Sequence, residues 1–416
     1  MKHQNYMLPG NKIKPENCNF MPKDNYNVFL KTYIFVLIFL LIPIFLNYTF
    51  LRNSGEFLTA KQIFELQNNK DKINIYGSAI FNNMTDLKLY AYKHKKPKII
   101  SLGSSRSLQF RESFFSQPFY NMGSTASSIH EAINTAFAML SNHCPQFVLL
   151  GVDFWWFNEN FQKSDSYDLC FQKIVNSIDP AHLLLPFKWI KDGKVTVTNY
   201  VKLFTLSQMP HIGVSGKLRK TGIAADGSYY YTDLITGHTN DFSDVSFKDS
   251  RQRVVKGTDR FTHGSSASEI HFQKFLELLQ LFQANNVKVV LFFPPLAPEI
   301  NKIMKKYDYS YIKDLKKKFK KSGINVYDFT DPAKLVSTSN GEFIDGFHGG
   351  DVIYAKLLSY IASEDIFLKN YIKQNYLETV IQKYTGFAMI PNAQITLEKE
   401  VDFLNIGATK NINGTA

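Results

Sequence analysis

Three short segments of this 416-residue chain place groups able to do acyl-transfer chemistry beside turn-forming glycines. The first is Leu102-Gly103-Ser104-Ser105-Arg106-Ser107, directly after the apolar run Lys98–Leu102. A glycine and a serine just past a strand let the backbone turn sharply and leave a hydroxyl exposed as a nucleophile, with its own N–H aimed at an oxyanion. The second is Tyr120-Asn121-Met122-Gly123-Ser124, read as a loop-to-helix turn whose Gly123 N–H is a second oxyanion donor. The third is Asp345-Gly346-Phe347-His348, flanked by Gly349 and Gly350. An acid and a histidine three apart in a tight turn set the carboxylate against one imidazole nitrogen and leave the other to take a proton from a serine. Taken singly, the serine turn and the Gly123 turn read more readily as ordinary turns; it is their combination with the third segment that makes a site.

These groups need a rigid frame, and the surrounding pattern supplies one. Apolar runs at Lys98–Leu102, Gln146–Leu150, Val287–Phe293 and Asn325–Phe329 read as short buried strands. Helical patterns at Ser127–Leu140, His271–Ala284, Tyr311–Lys321 and Val352–Ile361 alternate with them. Strands alternating with helices predict an α/β fold with a parallel sheet covered on both faces, and sites in such sheets form at the carboxyl ends of the strands. Between 159 and about 264 the alternation is lost, and aromatics, turn signals and a hairpin around Asp226-Gly227 predict an inserted cap. The sequence therefore divides into a tail (1–27), an apolar span (28–51), a stalk (52–92) carrying a short helix at Thr59–Gln67, the α/β domain with its insertion (93–385) and a polar tail (386–416).

Val28–Leu51 is long enough to cross a bilayer, and its centre, Tyr33–Leu46, carries no charge. Lys2, Lys12, Lys14, Lys23 and Lys31 precede it, so the N-terminus is expected in the cytoplasm and everything after about residue 52 outside the inner membrane. The net charge of +12 points to an acidic partner, and this placement makes an anionic envelope polymer or glycan, or anionic lipid, the expected one rather than nucleic acid. Cys18, Cys144 and Cys170 form neither a metal spacing nor a disulfide framework, and a Cys144–Cys170 pair and buried thiols both stay open. There is no Walker loop, dinucleotide fingerprint or zinc spacing, so no cofactor is expected.

Together the three segments resemble the blocks of the SGNH (GDSL-like) hydrolase and acyltransferase superfamily. The resemblance covers about 98–158 and 270–362 and implies a flavodoxin-like sheet. It carries the nucleophile to Ser105, the oxyanion glycine to Gly123, and the acid and base to Asp345 and His348. The usual Gly-Asp-Ser of the first block has Ser104 in place of its Asp. The third block usually holds Gly-x-Asn, whose amide donates to the oxyanion; here Gly151-Val152-Asp153 stands instead, and an ionised Asp cannot donate. The anchored arrangement is similar to envelope acyl-transfer proteins such as those of teichoic-acid D-alanylation. That implies an extracytoplasmic O-acyltransferase or esterase working beside a multi-spanning membrane O-acyltransferase. A non-catalytic assembly module and a membrane-associated lipid esterase are the competing expectations. Arg106, Asn121 and Asp153 are candidates for binding substrate, Arg106 equally for a structural salt bridge. Trp155, Trp156 and Phe157 read first as core, then as a sugar or acyl platform, and His263 as a loop residue.

Overall fold

The computed structural model describes residues 23–68, 75–80, 84–161, 179–205, 210–238, 244–392 and 400–410. Seven strands are present among them: β1 (Ile99–Gly103), β2 (Phe119–Gly123), β3 (Phe147–Gly151), β4 (Thr221–Ile223), β5 (Tyr229–Tyr231), β6 (Lys288–Phe293) and β7 (Val326–Asp328). Five form one sheet in the order β2-β1-β3-β6-β7, every neighbouring pair parallel. Leaving out the β4–β5 hairpin, this is the doubly wound order 2-1-3-4-5. Every residue of β1 and β3 is buried, as central parallel strands packed on both faces require, and so is every residue of the edge strand β2.

Helices flank the sheet. Ile129–Leu140 and Glu269–Ala284 pack on each other, and Asp351–Glu364, almost wholly buried, packs on Gln374–Tyr384. The first two begin where a serine caps them: the Ser128 hydroxyl accepts from the Glu131 N–H and the Ser268 hydroxyl from the His271 N–H. Strand β2 departs from the expected loop. Phe119–Gly123 pairs along its whole length with β1, and the turn begins only at Ser124.

The expected stalk is instead a packed connector. Glu56, fully buried, accepts from Ser78 Oγ and from the N–H groups of Ala79 and Val214, and Tyr76 bridges to Ile212 and Ile223. The polar tail is not loose either where it is described. Lys410 Nζ donates to Glu400, Gly341 O and Gly386 O, and Leu404 is buried. The N-terminal helix Lys23–Ser54 contains a 30-residue stretch, Asn25–Ser54, long and apolar enough to cross a membrane. Its side chains are exposed up to Ile42, whereas Asn47, Phe50 and Leu51 are buried against the insertion. The tail expected in the cytoplasm, through residue 22, lies outside the described residues, as do Cys18, Cys170 and hence the open question of a Cys144–Cys170 pair; Cys144 itself is exposed, not buried.

Candidate active site

Strand β1 ends at Gly103, whose φ of +151 and close approach to Gly151 O and Ser107 Oγ leave no room for a side chain. The chain then turns into a single 3-10 turn, Ser105–Ser107. Ser104 caps that turn, its buried hydroxyl accepting from the Arg106 N–H, while Ser105 stays partly exposed. The capping geometry thus separates two adjacent serines that look alike in sequence. Ser105 Oγ lies 2.9 Å from His348 Nε2. His348 Nδ1 lies 2.7 Å from Asp345 Oδ2, and Asp345 Oδ1 accepts from the N–H groups of Phe347 and His348. Burial alone would raise the Asp345 carboxyl, but the charge of His348 and these hydrogen bonds outweigh it and hold the group below its ordinary range. The structure therefore brings Ser105, His348 and Asp345 into one hydrogen-bonded line across 243 residues of sequence.

The loop carrying His348 is fixed from several sides. Ile344 N–H donates to His348 O, and Gly346 N–H to Asp244 Oδ2, a carboxylate from the insertion. Gly350 sits so close to Ala388 that a Cβ there would lie 1.9 Å from the Ala388 carbonyl oxygen.

Arg106 and Asp153 are not substrate-facing. Both are fully buried and form an ion pair, Nη1 to Oδ1, at 3.0 Å. The remaining Arg106 donors go to Phe347 O, Pro294 O and Pro295 O. The expectation that they bind substrate is corrected: the guanidinium ties the Ser105 turn to the end of β6 and to the histidine loop. Burial pushes the Asp153 carboxyl up against the pull of Arg106. Asn121 is likewise buried, its amide donating to Ser107 O and Phe110 O. Its Oδ1 accepts the Gly123 N–H at 2.7 Å, so this expected oxyanion donor is already engaged. The Ser105 N–H, at the start of its turn, has no acceptor among the described residues. Trp155 and Phe157 are buried core residues, and Trp156 nearly so, rather than a binding platform. His263 Nε2 donates to Val254 O, and the ring stacks on Tyr307.

Sequence reasoning missed the walls of the site. A cavity of about 680 Å³ has Asp345 and His348 on one side and the insertion on the other. Trp189, Tyr229, Tyr231, Arg219 and Asp233 are among its lining residues. Burial, with Tyr229 and Asp345 nearby, pushes the Tyr231 phenol far up, so it remains a donor. Arg111 fastens this wall to the core: it pairs with Asp351 at 2.8 Å and donates to Ser228 Oγ and Tyr229 O. Behind it, the wholly buried Lys88 donates from Nζ to Asn121 O, Gly123 O and Gly227 O. Neither residue stood out in the sequence.

No protein-family model matches the chain, and no curated protein matches its sequence. Among the described residues no group of three or more His, Cys, Asp and Glu is arranged to hold a metal ion.

Proposed function

We propose that this protein is a serine acyl-transfer enzyme of the SGNH type, an O-acyltransferase or esterase working through an acyl-Ser105 intermediate. The observation that carries the reading is the line from Ser105 Oγ to His348 Nε2 at 2.9 Å and from His348 Nδ1 to Asp345 Oδ2 at 2.7 Å, open to a cavity. A serine hydroxyl is a weak nucleophile until a base removes its proton. His348 Nε2 takes that proton as Oγ bonds to the acyl carbonyl carbon, and the carbonyl oxygen gains the negative charge. The Ser105 N–H donates to that oxygen. As the tetrahedral species collapses, the bond to the leaving oxygen breaks and His348 returns the proton to it. An acceptor hydroxyl, or water, then repeats the sequence in the second half. Asp345 holds the imidazole in one tautomer and stabilises it when protonated.

The substrate side of the proposal follows from the walls. Trp189, Tyr229 and Tyr231 offer aromatic faces, and Arg219 and Asp233 a polar rim, which suits a hydroxylated ring such as a sugar of an envelope polymer. With the apolar helix inserted in the inner membrane and the N-terminus inside, activated acyl groups would have to arrive through a multi-spanning membrane O-acyltransferase. The engaged Gly123 N–H favours a second reading, an SGNH-like fold kept as a non-catalytic envelope binding module. A fluorophosphonate probe on the detergent-solubilised full chain separates the two. Covalent labelling that disappears in Ser105→Ala and in His348→Ala supports the enzyme; labelling that survives Ser105→Ala, or no labelling of the folded parent, overturns it.

A further inference from the structure

The insertion has a second face besides the one toward His348. Residues 180–205 fold into a 3-10 turn (Pro180–Leu184) and two short helices (Leu185–Lys191 and Val197–Thr205); the turn and the second helix pack along the end of the N-terminal helix, and the first helix joins them through Trp189. Asn47 Nδ2 donates to Leu183 O, Tyr200 Oη donates to Asn47 Oδ1, and Asn53 Nδ2 donates to Phe204 O. The Phe50 and Tyr200 rings stack with centroids 4.6 Å apart. This level lies where a bilayer surface would fall. A helix rises about 1.5 Å per residue, so Val28 to Leu46 spans roughly 28 Å, about the thickness of a hydrocarbon core. The first side chain of the helix to be fully buried by protein is Asn47, directly after that stretch.

At this level these elements present apolar groups outward. Leu184 is 57% exposed, Phe187 45%, Val197 64% and Val201 51%. They follow helical spacing: Leu184 and Phe187 are three apart, Val197 and Val201 four apart, opposite the buried Leu203. Lys188 and Lys191 are exposed among them. Apolar side chains on short helices with lysines beside them are the composition of a surface that lies in the headgroup region. The inner side of the same elements, at Trp189, Lys194 and Val195, lines the cavity that holds His348.

We propose that residues 180–205 form an interfacial membrane-binding surface, with Leu184, Phe187, Val197 and Val201 set into the acyl boundary and the lysines on anionic headgroups. The cavity then opens at the bilayer surface rather than into free solvent. The inference rests on the N-terminal helix crossing a bilayer and is independent of the acyl chemistry at Ser105. Lipid is preferred to a protein partner because the apolar residues sit at the depth where the helix itself leaves the hydrocarbon.

The test puts the photoreactive residue p-benzoylphenylalanine at Phe187 and, separately, at Val201 of the full chain in its native membranes. The control position is Ile366, 80% exposed at the opposite pole, beside Phe367, which packs on Phe147 at the start of β3. After irradiation, lipid adducts at 187 and 201 should exceed those at 366 by about tenfold or more, the ratio set by keeping one apolar side chain out of water. Adducts to a second protein at 187 and 201, or lipid yields no higher than at 366, would overturn the surface. Alkaline carbonate extraction of the same membranes distinguishes the two premises: a chain that washes out refutes the bilayer span itself, and with it this surface.

Discussion

Asp153→Asn tests whether the buried ion pair, rather than a substrate contact, explains the residues around Ser105. The substitution keeps the side-chain shape but leaves the Arg106 guanidinium, fully buried, with only neutral carbonyls of Phe347, Pro294 and Pro295 around it. Removing one partner of a buried pair costs about 3–5 kcal/mol. Because three carbonyl acceptors remain, the lower end applies, a fall in Tm of roughly 5–10 °C for a domain of this size. Arg106→Met should cost more, since it also strips those three carbonyls of their donor. The double change Arg106→Met with Asp153→Leu should cost less than the sum of the singles, because no uncompensated charge is left. Tryptophan fluorescence during heating reads this locally, as Trp155 packs 5.1 Å from Phe347 and within 5.7 Å of the Arg106 guanidinium. If Asp153→Asn were as stable as the parent and raised only KM, the pair would not be structural and the residues would belong to the substrate site.

Ser104→Ala removes the cap of the nucleophile turn but not the nucleophile, so it should lower stability by about 1 kcal/mol and keep fluorophosphonate labelling; loss of labelling there, with Ser105→Ala still labelled, would move the nucleophile by one residue. Gly350→Ala would drive a Cβ to 1.9 Å from Ala388 O, an overpacking that should cost about 1–3 kcal/mol in thermal unfolding and slow labelling through the histidine loop. Burial pushes the Lys88 ammonium down to about 7, with Asp226 drawing it partly back, so between that value and its unfolded pKa the unfolded chain holds more protons than the folded one. The stability of the parent relative to Lys88→Met should therefore rise as pH goes from 7 toward 10; a difference that is flat or falling in paired denaturation curves refutes it.

The parts of this architecture that were legible are those encoded locally. KIISL, QFVLL and VKVVLFF are short apolar runs between turn residues, and they became the central strands β1, β3 and β6. The helices expected from Ser127 and from His271 begin at Ile129 and Glu269, within two residues. Asp345 and His348 were readable because a three-residue spacing between glycines brings the two side chains together without help from the rest of the fold. Strand β2 was not readable, since Asn121 and Gly123 are poor strand formers and only pairing with β1 makes FYNMG extended. Nor was the Arg106–Asp153 pair, whose partners are 47 residues apart on the ends of different strands. The fate of the Gly123 N–H depends on how one buried amide points, a choice made by the carbonyls of Ser107 and Phe110 that hold its other end.

The insertion resisted reading for a different reason, and the reason bears on function. Its residues serve three neighbours at once: the N-terminal helix through Trp189, Leu203 and Val214, the connector through Ile212 and Ile223, and the His348 loop through Asp244. A segment whose side chains face three partners has no single periodicity to show. The same arrangement puts the insertion in contact with both the apolar helix and the His348 loop. A displacement of the helix relative to the α/β domain would therefore reach the cavity through Glu56, which ties the helix end to Ser78 and Val214, two residues that themselves line it. The cavity beside His348 is thus walled partly by residues tied to the end of the apolar helix, rather than by the α/β core alone.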